Sequence, residues 1–173
     1  STHVLAEEMR RAHLLGAQYV VTHLGGAPQP RTIVLRRIAR RIDGALRDSP
    51  AGVMLLLENS AGAGNLVGGT FAELAGIIGH CRFQQRLGIC LDSAHCYAAG
   101  YQVGTMPGLE ETLAQLDREA GLTRLHLLHG NDSRSQFASR VDRHWHIGRG
   151  TMGLAAFRNI LCHPKLRGLP LIM

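Results

Sequence analysis

The chain has 173 residues, 45% of them hydrophobic, enough to bury one substantial core, and it contains no low-complexity tract, which excludes a disordered polypeptide. Nineteen Lys and Arg against thirteen Asp and Glu leave a formal charge of +6, a balance that suits a polyanionic partner such as nucleic acid without establishing one. Cys81, Cys90, Cys96 and Cys162 show neither C-x-x-C spacing nor the density of a disulfide scaffold, and no apolar run is long enough to span a bilayer, so a soluble, cytoplasmic chain with reduced thiols is expected.

Taken in chain order, "THVLAEEMRRAHLL" (2–15) predicts a helix that precedes the first strand, so the chain opens in mid-pattern, as a piece of something longer does. "AQYVVTH" (17–23), "GVMLLLEN" (52–59), "RLGICLD" (86–92) and "TRLHLLHGND" (123–132) are nearly unbroken apolar runs that end in polar clusters, the pattern of strands covered on both faces in a parallel sheet. Between them, "RTIVLRRIARRIDGALRD" places Val34, Leu35, Ile38, Ile42 and Leu46 at helical steps. Arg36, Arg37, Arg40, Arg41 and Arg47 fall mostly on the opposite, solvated face. Thr70 and Glu73 predict a capping box for "GTFAELAGII", and Pro107 and Gly121 bracket a third helix in "MPGLEETLAQLDREAG". Strand and helix therefore alternate in an α/β fold, and no linker or repeat divides residues 1–173, which are expected to form a single unit.

Each of the four runs ends in a side chain able to bind a metal: His23, Glu58, Asp92 and His129. Carboxyl ends of parallel strands share one face, so these four converge. His95, three residues after Asp92, and the alternate residues Asp142 and His144 of "RVDRHWHIGRG" complete a set of seven nitrogen and oxygen donors of the kind zinc takes. Strict alternation along "RLHLLH" predicts that His126 and His129 point to opposite faces, with His126 packed elsewhere in the wall. His146 is expected as a reserve ligand or as a hydrogen-bond donor behind the ligands.

The segments "LLLENSAGAGNLVGGTFAELAGII", "LGICLDSAHCYAAGYQV", "LLHGNDSRSQFASRVDRHWHIGRGTMGLAAFRNIL" and "GLPLIM" resemble, in order, the signature segments of the endonuclease IV family of apurinic/apyrimidinic endonucleases. The resemblance runs essentially end to end. It implies a TIM (β/α)8 barrel, of which this chain supplies the last five or so strands, forming the carboxyl-terminal portion of the domain. A trinuclear zinc cluster would hydrolyse the phosphodiester bond 5′ to an abasic site through a metal-bound hydroxide, leaving a 3′ hydroxyl, as a step of base excision repair.

By motif match, Glu58 would bridge two zinc ions, with His23 on one and with Asp92 and His129 on the other. Glu58, Asp92 and His129 would thus carry the catalytic water, and His95, Asp142 and His144 would hold the third zinc. Arg134, Arg140, Arg143 and Arg149 are the expected DNA phosphate contacts, and double-stranded DNA with abasic sites is the expected partner.

Two departures stand out: "THLGGAPQP" lacks the proline that usually follows the histidine matched by His23, and Arg149 stands where a glutamate is common. The family's first histidine ligand and its final glutamate ligand fall outside the matched span, so one complete zinc site, the third, is expected in this chain. A complete family barrel is expected to be a monomer, whereas a five-strand arc leaves open sheet edges that invite self-association. Two other functions compete: a metal-dependent sugar isomerase or epimerase on a related barrel, and an inactive truncated barrel that only binds zinc or DNA. The metal count discriminates between the enzymes: an isomerase needs one or two ions and a lysine or glutamate proton-transfer base, whereas this chain offers ligands for three, and its sole lysine, Lys165, lies in a late loop.

Overall fold

A computed structural model describes residues 2–173. The chain opens with α1 (Thr2–Leu14) and continues through β1 (Tyr19–Thr22), α2 (Arg31–Arg47), β2 (Met54–Glu58), α3 (Phe71–His80), β3 (Leu87–Asp92), α4 (Ser93–Ala99), α5 (Met106–Ala120), β4 (Leu125–His129), β5 (Asp132–Ser133), β6 (His144–Trp145), α6 (Gly153–Cys162) and β7 (Leu171–Ile172). Strands β1, β2, β3, β4 and β7 lie side by side in that order, all parallel. They form a curled arc of a TIM barrel with two open edges, β1 and β7, as expected for five strands of eight. No helix of the described residues is long and apolar enough to cross a membrane.

Alternation along the strands sorts the apolar residues into two layers. Leu55, Leu57, Ile89, Leu91, Leu125 and Leu128 face outward. There they meet the buried stripes of the helices: Val34, Ile42 and Leu46 of α2, Phe71, Leu74 and Ile77 of α3, Leu109, Leu113 and Leu116 of α5, and Phe157 and Ile160 of α6. Burying each such side chain contributes about 1.5–3 kcal/mol relative to leaving it in water, so this outer layer carries most of the driving force. Facing inward, Leu56, Cys90 and Leu127 form a smaller cluster bordered by Tyr19, Val21 and Met54.

The capping box expected at the start of α3 forms only in part. Thr70 Oγ1 accepts the Glu73 N–H at 3.3 Å, but the Glu73 carboxylate does not close the reciprocal box. Its Oε2 accepts the N–H groups of Gly68 and Gly69, and its Oε1 pairs with Arg31 at 2.8 Å, joining the starts of α2 and α3. At the other end of α2, the Arg86 guanidinium donates to the carbonyls of Leu46, Ser49, Pro50 and Val53, occupying acceptors that the helix end leaves free. Arg36, Arg40, Arg41 and Arg47 are exposed, which confirms a solvated face; Arg37 is half-buried and donates to Gln29.

One expectation fails. Pairing between β3 and β4 shifts after Ile89↔Leu125 to Cys90↔Leu127, so His126 is an extra residue in β4 and strict alternation is lost there. A Cβ built on Gly88 would meet His126 Cδ2 at 2.4 Å and Leu56 Cδ2 at 2.7 Å, and the His126 ring stacks on Tyr19 at 5.8 Å. His126 therefore occupies the inner face, on the same side as His129 and beside Gly88, below the level of Leu127, instead of pointing away from it. Burial, followed by the charge of Arg124, lowers its pKa.

Candidate metal centre

The inner-face positions one step beyond Leu56, Cys90 and Leu127 are Glu58, Asp92 and His129. Strand register sets them beside one another, with Glu58 opposite Cys90 and Asp92 opposite His129. On the inner face a polar level at the carboxyl ends thus lies directly above an apolar one. Glu58 and Asp92 are both buried, Asp92 completely.

Glu58 sits between histidines: its Oε1 lies 2.9 Å from His129 Nδ1 and 3.6 Å from His95 Nδ1, and its Oε2 lies 3.1 Å from His23 Nε2. Asp92 serves twice, as the last residue of β3 and as the N-cap of α4, where its Oδ1 accepts the His95 N–H at 2.8 Å. That cap opens a short helix, closed by Gly100 at φ 105°, which brings His95 back over the strand ends. His95 Nδ1 faces the Asn59 carbonyl at 2.9 Å. A carbonyl only accepts, so Nδ1 carries the proton and Nε2 keeps its lone pair. That nitrogen lies 3.1 Å from Asp142 Oδ2 and 3.1 Å from His144 Nε2, and His144 Nε2 is 3.3 Å from Asp142 Oδ1.

The structure thus brings all seven sequence-derived candidates, His23, Glu58, Asp92, His95, His129, Asp142 and His144, into one connected cluster. Three overlapping groups within it have donor atoms that all lie within 4.8 Å of one another: His23, Glu58 and His95; Asp92, His95 and His144; and Glu58, Asp92 and His129. His146 takes no part. Strand β6 ends at Trp145 and the chain then turns, which lays the His146 ring against the indole at 5.1 Å.

Charge supports a cationic occupant. Among the described residues, Glu58 and Asp92 pair with histidines only and with no Lys or Arg. Two buried carboxylates at this spacing repel each other unless positive charge is placed between them. Imidazole and carboxylate donors in groups of three match what zinc accepts.

Sequence patterns had not marked the residues that hold these donors in place. Asn59 Oδ1 accepts the Asp92 N–H at 2.7 Å and its Nδ2 donates to the Asp92 carbonyl at 3.2 Å; Asn131 Nδ2 donates to Asp92 Oδ2 at 2.6 Å. Ser93 Oγ donates to the carbonyls of His129 and Asn131. Each directly follows a donor or lies two residues beyond one, in "EN", "DS" and "HGN", and that adjacency was the available signal. The hairpin β5–β6, which carries His144, is moored by Asp132: this fully buried carboxylate accepts the N–H groups of Ser133, Gly148, Gly150 and Met152 at 2.8–3.1 Å. Arg134, Arg140, Arg143 and Arg149 are exposed around this hairpin, and none has a carboxylate partner among the described residues. Arg140 and Ala138 adopt φ of 57°, and their N–H groups take the Ala98 and Tyr97 carbonyls at the end of α4.

Comparison with known proteins agrees with this architecture. The sequence matches the family described as xylose isomerase-like TIM barrel over residues 1–173. It is 43% identical to a probable endonuclease 4 from Methanoculleus marisnigri, covering 99% of this chain and 62% of that protein. Endonuclease IV from Thermus thermophilus superposes with a TM-score of 0.86 at 37% identity, covering 99% of this chain and 60% of that one. A D-tagatose 3-epimerase-like protein superposes at 0.73 with 21% identity, covering 99% and 61%, which speaks to the fold alone. The chain spans about three fifths of the length of the curated relatives it matches. It belongs to the xylose isomerase-like TIM-barrel family and has proteins named probable endonuclease 4 among its relatives.

Proposed function

We propose that this chain carries the zinc-binding wall of a DNA-repair endonuclease that hydrolyses the phosphodiester bond 5′ to an abasic site. The observation that carries the proposal is the cluster of Glu58 and Asp92, buried without Lys or Arg, among four histidines at the carboxyl ends of parallel strands. Relatives named endonuclease 4 supply the substrate class.

Glu58, Asp92 and His129 would hold one ion, and Glu58 and His23 would serve another. His95, whose Nδ1 faces the Asn59 carbonyl, would present Nε2 toward Asp142 and His144, and these three would hold the third. Zinc bound there would polarise phosphoryl oxygens and acidify water, chemistry that phosphodiester hydrolysis requires. Around the site, Arg134, Arg140, Arg143 and Arg149 present unpaired positive charge to the DNA backbone, and the mooring of β5–β6 keeps His144 and Asp142 oriented before substrate arrives.

An epimerase on the same barrel is the competing function. A lysine proton-transfer base is absent from the cluster, because Lys165, 3.9 Å from Glu110, lies in the loop after α6. Elemental analysis of the purified chain and of His144→Ala, with nicking of a duplex carrying one abasic analogue, tests the proposal. About one zinc per chain, lost in the variant, is expected from the third site alone; a nick 5′ to the lesion with a polymerase-extendable end is expected only where zinc also occupies the sites at Glu58. Three zincs without nicking would overturn the nuclease assignment for this chain, and absence of zinc would overturn the metal assignment as well.

A further inference from the structure

Trp145 is the only tryptophan of the chain. It neighbours His144 on β6, and strand alternation turns the two side chains to opposite faces of the hairpin. His144 faces the cluster. Trp145, paired in register with Asp132, lies on the other face and keeps 37% of its surface exposed. The Arg134 guanidinium stacks over its ring at 3.9 Å from the centroid, and the His146 ring leans on it at 5.1 Å.

An indole left in water forgoes the free energy of burial, and a guanidinium stacked on it without a carboxylate leaves a positive charge unbalanced. Both are placed on a hairpin that the Asp132 carboxylate fixes through four backbone N–H groups, so the pair is held out in a set position. Arg143 and Arg149, both exposed and without carboxylate partners among the described residues, lie within four residues of it along the chain. An exposed aromatic ring amid such charge is the combination that binds nucleic-acid bases by stacking while neighbouring cations hold the backbone.

The proposed lesion supplies a matching surface. In intact duplex every internal base is covered on both faces. Beside an abasic site, the flanking base loses its neighbour and exposes one π-face. We propose that Trp145, steadied by Arg134, stacks on the base next to the lesion and so helps distinguish abasic from intact DNA. This rests on the function proposed above.

The single indole makes its own emission a site-specific probe. A short duplex carrying a tetrahydrofuran abasic analogue, with a phosphorothioate on its 5′ side to slow cleavage, is titrated against the chain, and the undamaged duplex is titrated in parallel. Anisotropy of a dye on the DNA reports binding independently. Indole emission is expected to quench with the abasic duplex and not with the intact one. Trp145→Ala is expected to weaken abasic-duplex binding roughly five- to 150-fold, with the salt dependence unchanged, whereas Trp145→Phe retains most of the affinity. Arg143→Ala, by contrast, is expected to lower the log–log salt slope by about one.

Binding without quenching, or full affinity in Trp145→Ala, overturns the stacking role and leaves the nuclease proposal standing. Loss of bound zinc together with affinity in Trp145→Ala assigns the indole to holding the hairpin and overturns the stacking role too. Failure of the abasic duplex to bind overturns both proposals.

Discussion

Asn59 and Asp92 are joined head to tail: the Asp92 N–H donates to Asn59 Oδ1 at 2.7 Å, and Asn59 Nδ2 donates to the Asp92 carbonyl at 3.2 Å. One buried amide thereby fixes the last residue of β3 against the end of β2, and the backbone carbonyl of Asn59 faces His95 Nδ1. Asn59→Ala leaves a buried N–H and a buried C=O without partners, which costs about 1–3 kcal/mol. Loss of a partner behind metal ligands also lowers metal affinity roughly 10–100-fold. Urea denaturation and zinc competition against a chromophoric chelator are the measurements. Lost stability with unchanged zinc affinity would confine Asn59 to folding.

Gly88 and His126 form a second coupled pair, because the extra residue in β4 brings the imidazole over the glycine. Gly88→Ala places a Cβ 2.4 Å from His126 and 2.7 Å from Leu56, an overpacking expected to cost about 1–3 kcal/mol. Gly88→Ala combined with His126→Ala is expected to lose less stability than the two single changes summed, since the second opens the space that the first requires. Additive losses in chemical denaturation would mean that Leu56, not His126, meets the new methyl.

What was legible in the sequence follows the physics of each signal. Four strands, the stripe of α2 and the capping of α3 rest on local periodicity and cap chemistry, and all are present. The convergence of His23, Glu58, Asp92 and His129 was legible because parallel strands align their carboxyl ends, whatever the details of packing, while His95, Asp142 and His144 were legible only through their spacing and the family motifs. His126 was misplaced because a bulge depends on pairing with β3, which periodicity within β4 does not encode. His146 was misplaced for a related reason: alternation predicts a shared face only while the chain stays extended, and β6 is two residues long. The role of Asp132 was hidden because its four donors lie up to twenty residues away in sequence and come from the backbone, which carries no residue code.

Asp132→Asn tests that mooring. Its Oδ2 accepts both Gly148 and Gly150 N–H at 3.0 Å, while its Oδ1 takes Ser133 and Met152. An amide must turn its NH2 toward one of these donor pairs, so charge-assisted bonds are lost at about 1.5–3 kcal/mol. His144 and Asp142 are expected to become less fixed and the one zinc expected at their site to exchange faster. Zinc release kinetics with a fast chelator are the measurement. An unchanged release rate would show that the Asp132 mooring does not act on the donors of the hairpin.

The cysteines offer a probe of the core that does not depend on metal. Burial pushes the Cys81 thiol up to about 12, with the Asp43 charge adding to it, and burial likewise raises Cys90 and Cys96. Thiolate is the reactive form. Of the four thiols only Cys162 is exposed, so native protein at neutral pH should release one equivalent of chromophore from a disulfide reagent quickly, and all four only after denaturation. Rapid reaction of a second thiol would place Cys81, Cys90 or Cys96 in a part of the core that opens.

His126 sets a pH dependence whose sign is fixed by its surroundings. Burial first, and Arg124 second, lower its pKa from the usual histidine value near 6.5, so the folded state favours the neutral ring. A group with a depressed folded pKa binds more protons when unfolded. Its contribution is therefore fully present above about pH 6.5 and is lost as pH falls from there through the folded value. His126→Phe keeps an aromatic ring against Tyr19 and removes the titration. Measured with chelator present, so that ligand histidines titrate alike in both proteins, the variant is expected to lose less stability on acidification through that window. Equal slopes would show that His126 protonates in the folded chain without penalty, and would place its ring in contact with water.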